Sequence, residues 1–326
     1  MSTRPEVINS PNIPHRLVDD INCSSERIHL QTMNLDTRAE MADVLGAIKR
    51  ASERGVRTSL AFDKIAYLGA PAETLRIRRL CQELGNAGVK VIALGGSMLP
   101  NPVANRSHIK MSVIDDIAYF GGGVNLCRVG FQAHDFMIRD GNNPDIADTL
   151  LSVADKYSLG DSIKDSVVRV DEESTVLVDG GIKGSSVILD QSTELAKSAK
   201  RSWFVSQLSP GRSLETALYG LPPENLHCLY NRPASSMGKE VPIAHIDNKL
   251  SRLPNQYTGS RRIHAKFLVI EKPDGSYEAI TGSHNFSDWG VRFGTKEASL
   301  RTTNQFICTK LIRYAEELAD INSQSA

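Results

Sequence analysis

Residues 107–116 read SHIKMSVIDD, a stretch that combines the pattern of a buried strand with two ionisable side chains. Apolar residues at every second position alternate with His108 and Lys110, and a period of two places both polar side chains on one face. A single histidine and lysine in this pattern usually mark the solvated face of a half-buried sheet. On its own, the stretch therefore predicts only a strand.

The same pattern returns in RRIHAKFLVIEKPDGSYEAITGSHNF, where His264 and Lys266 again alternate with apolar residues. Each lysine is followed five residues later by an acid, Asp115 in the first copy and Glu271 in the second. From the composition of the chain, one such His-x-Lys-x4-acid motif is expected roughly 0.04 times. Two copies therefore indicate an internal duplication.

Each copy continues through a second apolar strand to small residues and an asparagine. The first reads GGVN and ends at Asn125, and the second reads GSHN and ends at Asn285. The full repeat thus supplies one histidine, one lysine and one asparagine from each half of the chain. We predict that the six side chains meet at one site.

The 326-residue chain is long enough for two halves with a substantial core, which we place at residues 1–160 and 161–326. In each half, strand-like and helix-like segments alternate, which predicts an α/β fold with mainly parallel strands. The polar stretch 159–175 is the predicted boundary. The simplest architecture is two α/β lobes of similar plan.

The composition of the chain indicates its cellular compartment and its class of partner. The five cysteines are odd in number and scattered, which is typical of reduced thiols in a cytosolic protein. The N-terminal residues have no apolar core, and no segment approaches about 18 consecutive apolar residues, so we predict neither a Sec-type signal nor a membrane-spanning helix. Lys and Arg balance Asp and Glu at 38 each, which weighs against a nucleic-acid partner.

Two histidines, two lysines and two asparagines suit displacement at a phosphodiester. One neutral imidazole can attack phosphorus, while the other, protonated, donates to the leaving alkoxide. Lysine and asparagine side chains can hold the non-bridging oxygens. A carboxylate on the far ring nitrogen would fix each tautomer, and Asp135 and Glu297, each about thirty residues after its motif, are the candidates.

A metal site is the competing interpretation of these histidines. Neither His108 nor His264 has a second histidine at i, i+4 or a neighbouring carboxylate cluster, and a lysine two residues away would repel a cation. We therefore predict chemistry without a metal or other cofactor. His134 and His284, which lie close to the motifs, are interpreted as supporting or structural residues.

The duplicated motif resembles the signature of the phospholipase D superfamily, and the segments around it are similar to its cardiolipin synthase and phosphatidyltransferase branch. The resemblance covers nearly the whole chain. It implies a two-lobed α/β/α sandwich with a pseudo-twofold repeat, an active site between the lobes and a phosphohistidine intermediate. One departure is Glu271, where the family has aspartate; at the end of its strand, it is expected to hold the turn, and activity should survive.

Carried over by position, the resemblance implies His108 as nucleophile and His264 as general acid and base, an order that could be reversed. The resemblance also implies roles for eleven further residues. The phosphate-binding set is Lys110, Lys266, Asn125 and Asn285; the supporting acids are Asp135, Glu297, Asp115 and Glu271; further substrate-binding candidates are Gly123, Ser283 and Arg106.

Three hypotheses follow for the substrate. The first is a phospholipid, with transfer to an alcohol or hydrolysis, in a cytoplasmic enzyme that contacts the membrane from its inner face; Tyr67, Leu68, Met98 and Leu99 in two partly apolar loops could meet acyl chains. The second is a nuclease, with Arg106, Arg261 and Arg262 lining a backbone groove. The third is a silent binding protein, against which both intact motifs argue. The sequence leaves the headgroup, the acceptor and the oligomeric state open.

Overall fold

The computed structural model describes residues 4–37, 39–67, 70–95, 106–141, 143–158, 163–232, 251–253 and 256–325. Two mixed β-sheets with flanking helices form two lobes. The strands of the first sheet are β1 Glu6–Asn9, β2 Arg27–Thr32, β3 Arg57–Asp63, β4 Lys90–Leu94, β5 Met111–Ile114, β6 Ile117–Phe120 and β7 Phe136–Asp140. Those of the second are β8 Ser166–Arg169, β9 Ser174–Gly180, β10 Arg201–Ser206, β11 Leu226–Asn231, β12 Gln256–Tyr257, β13 Phe267–Glu271, β14 Tyr277–Gly282 and β15 Lys296–Thr302.

The helices lie between the strands, as the alternating pattern predicts. They are α1 Ile13–Cys23, α2 Ala39–Glu53, α3 Pro71–Asn86, α4 Arg128–Gln132, α5 Pro144–Ser158, α6 Val187–Lys197, α7 Arg212–Tyr219, α8 Asp288–Phe293 and α9 Gln305–Ser325. In the described part of the chain, none of them is both long enough and apolar enough to span a bilayer.

The order of the strands confirms the predicted repeat. The first sheet runs β1-β7-β6-β5-β2-β3-β4, and the second, read from its other edge, runs β8-β9-β15-β14-β13-β10-β11-β12. Without β8 the two orders correspond strand for strand, and the corresponding pairs run in the same relative directions. The two-lobed α/β fold with a pseudo-twofold repeat is thus present.

The prediction of mainly parallel strands is wrong. Only the β2–β3, β3–β4, β10–β11 and β11–β12 pairs are parallel. The motif strand of each lobe turns back through a tight hairpin, at Asp115 with φ 50° in the first lobe and near Gly275 with φ 84° in the second. Since a hairpin joins antiparallel strands, β5 and β13 are antiparallel to the strands that follow them.

The predicted boundary between the halves lies partly in the described part of the chain. The polar stretch 159–175 includes β8, an edge strand that pairs with β9. The division at residue 160 lies within residues 159–162, outside the described residues, and remains a prediction.

Apolar residues of both lobes form one shared core. It includes Phe136 from β7 and Phe267 from β13, whose ring centroids lie 5.9 Å apart, together with inward-facing residues of α5 and α9. Two further clusters fill the space beneath the remaining helices of each lobe. The shared core fixes the lobes against each other and so positions the edge at which the motifs meet.

Candidate active site

Both motif histidines precede their strands instead of lying within them. β5 begins at Met111 and β13 at Phe267, so the histidine and lysine of each motif belong to the extended entry segment. In that segment the backbone pairs across the lobes: the N–H of His108 donates to the carbonyl of Lys296 at 2.9 Å, and that of His264 donates to His134 at 2.8 Å. The motifs therefore lie where the two lobes meet.

The two entry segments are held by corresponding residues at the ends of β3 and β11. The Asp63 carboxylate accepts the N–H of Ser107 at 2.9 Å, and the Asn231 side chain accepts the N–H of Ile263 at 2.9 Å. Both residues are buried. Neither was among the predicted site residues, and a polar residue closing an apolar strand is the only signal for them in the sequence.

Each imidazole bonds to a carboxylate from the opposite lobe. Nδ1 of His108 lies 3.0 Å from Oε2 of Glu297, and Nδ1 of His264 lies 2.6 Å from Oδ2 of Asp135. We refer to these pairs as the His108 couple and the His264 couple. Both predicted carboxylates thus contact an imidazole, but the exchange between lobes was not predicted. With Nδ1 occupied, Nε2 is the ring nitrogen available for chemistry.

The two carboxylates are held differently. Glu297 accepts a hydrogen bond from the hydroxyl of Ser283, whereas Asp135 accepts backbone N–H groups from Gly123 at 3.2 Å and Phe136 at 2.9 Å. Gly123 and Ser283, which were predicted to bind substrate, therefore contact the carboxylates. Both residues thus lie on the Nδ1 side of the imidazole rings, away from Nε2.

Glycine at position 122 and at position 282 permits close packing of the motif's last turn. A Cβ atom on Gly122 would lie 1.7 Å from the carbonyl oxygen of Phe136, and one on Gly282 would lie 2.4 Å from Oγ of Ser299. Neither distance is possible for a side chain, so the motif requires glycine at both sites. The close approach brings the asparagine segment against β7 and β15.

The motif lysines are buried beside the imidazoles. Lys110 and Lys266 are almost fully buried, and Nζ of each donates to the carbonyl oxygen of its own histidine. Burial holds the pKa of Lys110 well below its usual value, against the attraction of Glu297. An anionic group bound here would favour the protonated lysine.

The motif asparagines contact residues at the ends of β2 and β10. Oδ1 of Asn125 accepts the N–H of Asn34 at 3.1 Å and the hydroxyl of Thr32 at 3.3 Å, which leaves the amide nitrogen as its donor end. The main-chain carbonyl of Asn285 accepts the hydroxyl of Ser206 at 3.0 Å. Its side-chain Oδ1 is buried with no hydrogen-bond partner among the described residues.

Burial makes both imidazoles weak bases. It lowers the pKa of His108 to about 4 and, together with Lys266 and Lys110, holds the pKa of His264 well below its usual value. Burial also raises the pKa of Asp135, against Lys266. For Glu297, burial acts to raise the pKa, but the hydrogen bond and attraction of His108, together with His284 and Lys110, lower it to about 2. Near neutral pH, the free site therefore holds two neutral imidazoles.

Two predicted acids do not reach the site. Asp115 accepts the backbone N–H groups of residues 25–27, each at 2.9 Å, and Glu271 pairs with Lys200 at 3.1 Å. Both fix the far ends of the motif strands, so they do not support the imidazoles. For Glu271 this agrees with the expectation that it holds the turn. Arg106 lies next to the first motif, with Nε 3.6 Å from the carboxylate of Asp63.

The His108 couple has additional buried polar neighbours. Asp179 lies opposite Glu297 in the β9–β15 ladder, and Nε2 of His284 lies 3.8 Å from its carboxylate. Burial raises the pKa of Asp179 to about 7. By position in the repeat, Val124 and Ser10 stand at the corresponding places in the first lobe. Within the described ranges, no group of three or more His, Cys, Asp or Glu residues forms a metal-binding cluster.

Residues 17–153 match the model of the family described as cardiolipin synthase, PLD-like domain. The match covers the first motif and lies in the first lobe. Over these residues the chain is thus similar to the family that the duplicated motif resembles. No curated protein matches the sequence significantly.

Two solved structures share the two-lobed fold over nearly the whole of this chain. Phosphatidylserine synthase from Haemophilus influenzae Rd KW20 is similar with a TM-score of 0.72 and 13% identity, covering 99% of this chain and 87% of its own. Polyphosphate kinase from Porphyromonas gingivalis gives a TM-score of 0.64 and 12% identity over 97% of this chain. The chain spans 50% of the polyphosphate kinase chain. At these identities the likeness shows the fold.

Proposed function

We propose that this phospholipase D-like protein is a phosphodiester transferase or hydrolase that acts on phospholipid through a phosphohistidine intermediate, without a metal. The observation that carries the proposal is the pair of buried imidazoles, each with Nδ1 bonded to a carboxylate of the other lobe. This arrangement fixes both tautomers and directs both Nε2 atoms to chemistry.

The reaction proceeds in two displacements. Nε2 of His108 attacks phosphorus, the bond from phosphorus to the leaving alcohol breaks, and His264 gives its proton to the departing oxygen. Water or an acceptor alcohol then loses its proton to His264 and attacks phosphorus, and the phosphorus–nitrogen bond breaks. His108 is regenerated, and His264 again carries the proton.

The charges in the site explain how one imidazole becomes protonated only with substrate. The charges of the buried lysines and carboxylates have opposite sign and offset each other, and both imidazoles are neutral in the free site. A phosphodiester adds one negative charge among these groups, which favours the protonated lysines and one protonated imidazole. Substrate binding thus supplies the charge that the general acid requires.

We assign His108 as nucleophile because its side chain is more accessible, 14% exposed compared with 5% for His264. The cations around His264 favour the opposite order, since they oppose its protonation. A leaving-group experiment, described in the Discussion, decides between the two assignments.

Several features support a lipid substrate. The family model is that of cardiolipin synthase, and one of the similar structures is a phosphatidylserine synthase. The balanced charge of the chain gives no general attraction to nucleic acid, which keeps nuclease activity as the second candidate. A cytoplasmic enzyme with peripheral membrane contact, built from halves 1–160 and 161–326, fits this proposal.

Of the four residues predicted to contact lipid, the structure describes only Tyr67. Leu68, Met98 and Leu99 lie outside the described residues. The hydroxyl of Tyr67 donates to the carbonyl of Leu35 at 2.8 Å, so this ring holds the loop after β2.

Mass spectrometry of the products from phosphatidylglycerol vesicles, with a chelator present, tests the proposal. We expect cardiolipin if an alcohol is the acceptor or phosphatidic acid if water is the acceptor, and neither product from the His108→Ala variant. Cleavage of single-stranded DNA without any lipid product would overturn the lipid assignment in favour of a nuclease.

A further inference from the structure

A cleft of about 580 Å³ opens on the second lobe beside the segment that carries Asn285. It is bounded by the residues that follow β10, by the first turns of α7 and by α8. Three arginines from separate segments converge on it: Arg212, Arg252 and Arg292. The mechanism above uses none of them.

The cleft is joined directly to the candidate active site. The N–H of Gly211, in the cleft wall, donates to the carbonyl of Phe286 at 2.7 Å, and Ser206, the last residue of β10, bonds to the carbonyl of Asn285. The wall of the cleft is therefore bonded to the segment that carries the predicted phosphate-binding asparagine.

The acidic residues in the cleft are occupied by the backbone. Oε1 of Glu215 accepts the N–H of Arg252 and the hydroxyl of Ser251, both at 2.7 Å, and the Asp288 carboxylate accepts the N–H of Arg212 at 3.2 Å. These bonds arrange the segments without using a guanidinium. The acids thus hold the cleft walls together, and none of these bonds uses an arginine side chain.

The arginine side chains are exposed and form no ion pair with another described residue. The guanidinium of Arg292 stacks over the ring of Trp289 at 5.3 Å. Tyr219, also in the cleft, is 59% exposed. Arginine pairs readily with phosphate oxygens, and tryptophan and tyrosine favour the level of lipid headgroups.

One described arginine of the first lobe differs from these three in its pairing. The segment after Asn125 carries Arg128, but its Nε lies 3.4 Å from Glu40 and its charge is balanced.

We propose that the arginine cleft binds the phosphate group of an anionic phospholipid in the bilayer surface and so seats the second lobe on the membrane. The inference rests on the proposed function for its choice of lipid over other phosphates. It adds a membrane-docking site that the catalytic motifs do not provide.

Co-sedimentation with phosphatidylglycerol and phosphatidylcholine vesicles tests the cleft. The variant Arg212→Gln/Arg252→Gln/Arg292→Gln is compared with Arg76→Gln/Arg78→Gln/Arg79→Gln, which removes the same charge from exposed positions on α3. We expect binding of the cleft variant to phosphatidylglycerol to weaken by roughly a factor of five per arginine. The α3 variant should bind like the unmodified protein, and binding should fall with salt. Thermal unfolding checks that both variants fold.

Three results would overturn the inference: equal weakening by both variants, unchanged binding of the cleft variant, or equal binding of the unmodified protein to phosphatidylcholine. Inorganic phosphate and chloride are also compared as competitors at the same ionic strength. Release of the protein from vesicles by phosphate alone would show that the cleft binds free phosphate, and it would overturn the assignment to a lipid phosphate.

Vesicle binding is separable from turnover. His108→Ala should bind vesicles normally and form no product. The cleft variant should retain turnover of a short-chain lipid dissolved as monomers and lose it on vesicles. If the unmodified protein binds vesicles through the cleft but turns over no lipid, the proposed function fails and the docking site stands.

Discussion

The His108 couple and the His264 couple occupy equivalent places in the repeat but have different surroundings. The carboxylate of the His264 couple is held by backbone N–H groups and lies 2.6 Å from its imidazole. That of the His108 couple lies 3.0 Å away and is held by a serine hydroxyl, with Asp179 and His284 nearby. The backbone of the repeat is therefore symmetric, and the side chains that tune each imidazole are not. A reaction that needs one nucleophile and one acid benefits from that difference.

Replacing each histidine with alanine tests whether the two couples have different roles. On phospholipid, both variants should lose activity by on the order of 10³-fold or more, since each loses a group that acts on the reacting atoms. On an ester with a nitrophenol leaving group, which departs without a proton, His264→Ala should recover activity and His108→Ala should not. Recovery by His108→Ala instead would reverse the assignment.

Neutralising the carboxylates should have the next largest effect. Asp135→Asn and Glu297→Gln should each lower kcat by roughly 10²- to 10⁴-fold, because the amide can no longer hold the required tautomer. Steady-state kinetics with circular dichroism as a folding control measures this. A loss below about threefold in either variant would show that its couple does not orient the imidazole.

The lowered histidine pKa predicts how stability depends on pH. The unfolded chain protonates His108 near 6.5 and the folded protein near 4, so its contribution is present above 6.5 and is lost as the pH falls toward 4. The expected loss from this group is roughly 2 to 3 kcal/mol. Urea unfolding from pH 7 to pH 4.5 should show a shallower decline for His108→Asn than for the unmodified protein. Parallel curves would contradict the buried neutral imidazole.

Ser283→Gly makes the two couples more alike, since the first lobe has Gly123 at this position. The loss of one hydroxyl donor to Glu297 should lower kcat by roughly tenfold. The reverse change, Gly123→Ser, should be far more damaging, because a Cβ there would lie 2.9 Å from Nζ of Lys266 and 3.0 Å from Asp135. An unchanged kcat in Ser283→Gly would show that the serine hydroxyl does not contribute to the difference between the two couples.

The smallest effects are expected at the strand ends. Glu271→Gln should leave kcat within about twofold and cost about 0–1 kcal/mol of stability, because its partner Lys200 is 55% exposed. Chemical denaturation and kinetics on the same preparation measure both quantities. A large loss of activity would mean that this acid acts at the site after all.

The sequence predicted the repeat, the meeting of the two motifs and both carboxylates, because periodic apolar residues and fixed spacing reflect local geometry. It did not predict that each carboxylate serves the other lobe's imidazole, since this depends on how the sheets pack. The direction of the motif strands was also predicted wrongly. The hairpins at Asp115 and Gly275 make these strands antiparallel to their successors, although strands and helices alternate along the chain. Asp63 and Asn231 gave no signal beyond a polar residue after an apolar strand.

The exchange of carboxylates between lobes makes the two halves obligate complements. A chain cut between them would leave His108 without Glu297 and Asp135 without His264, so both couples would be lost at once. Neither half can then change its function independently of the other half. Any substitution that shifts one sheet against the other changes both imidazoles together, and selection acts on the chain as one catalytic unit.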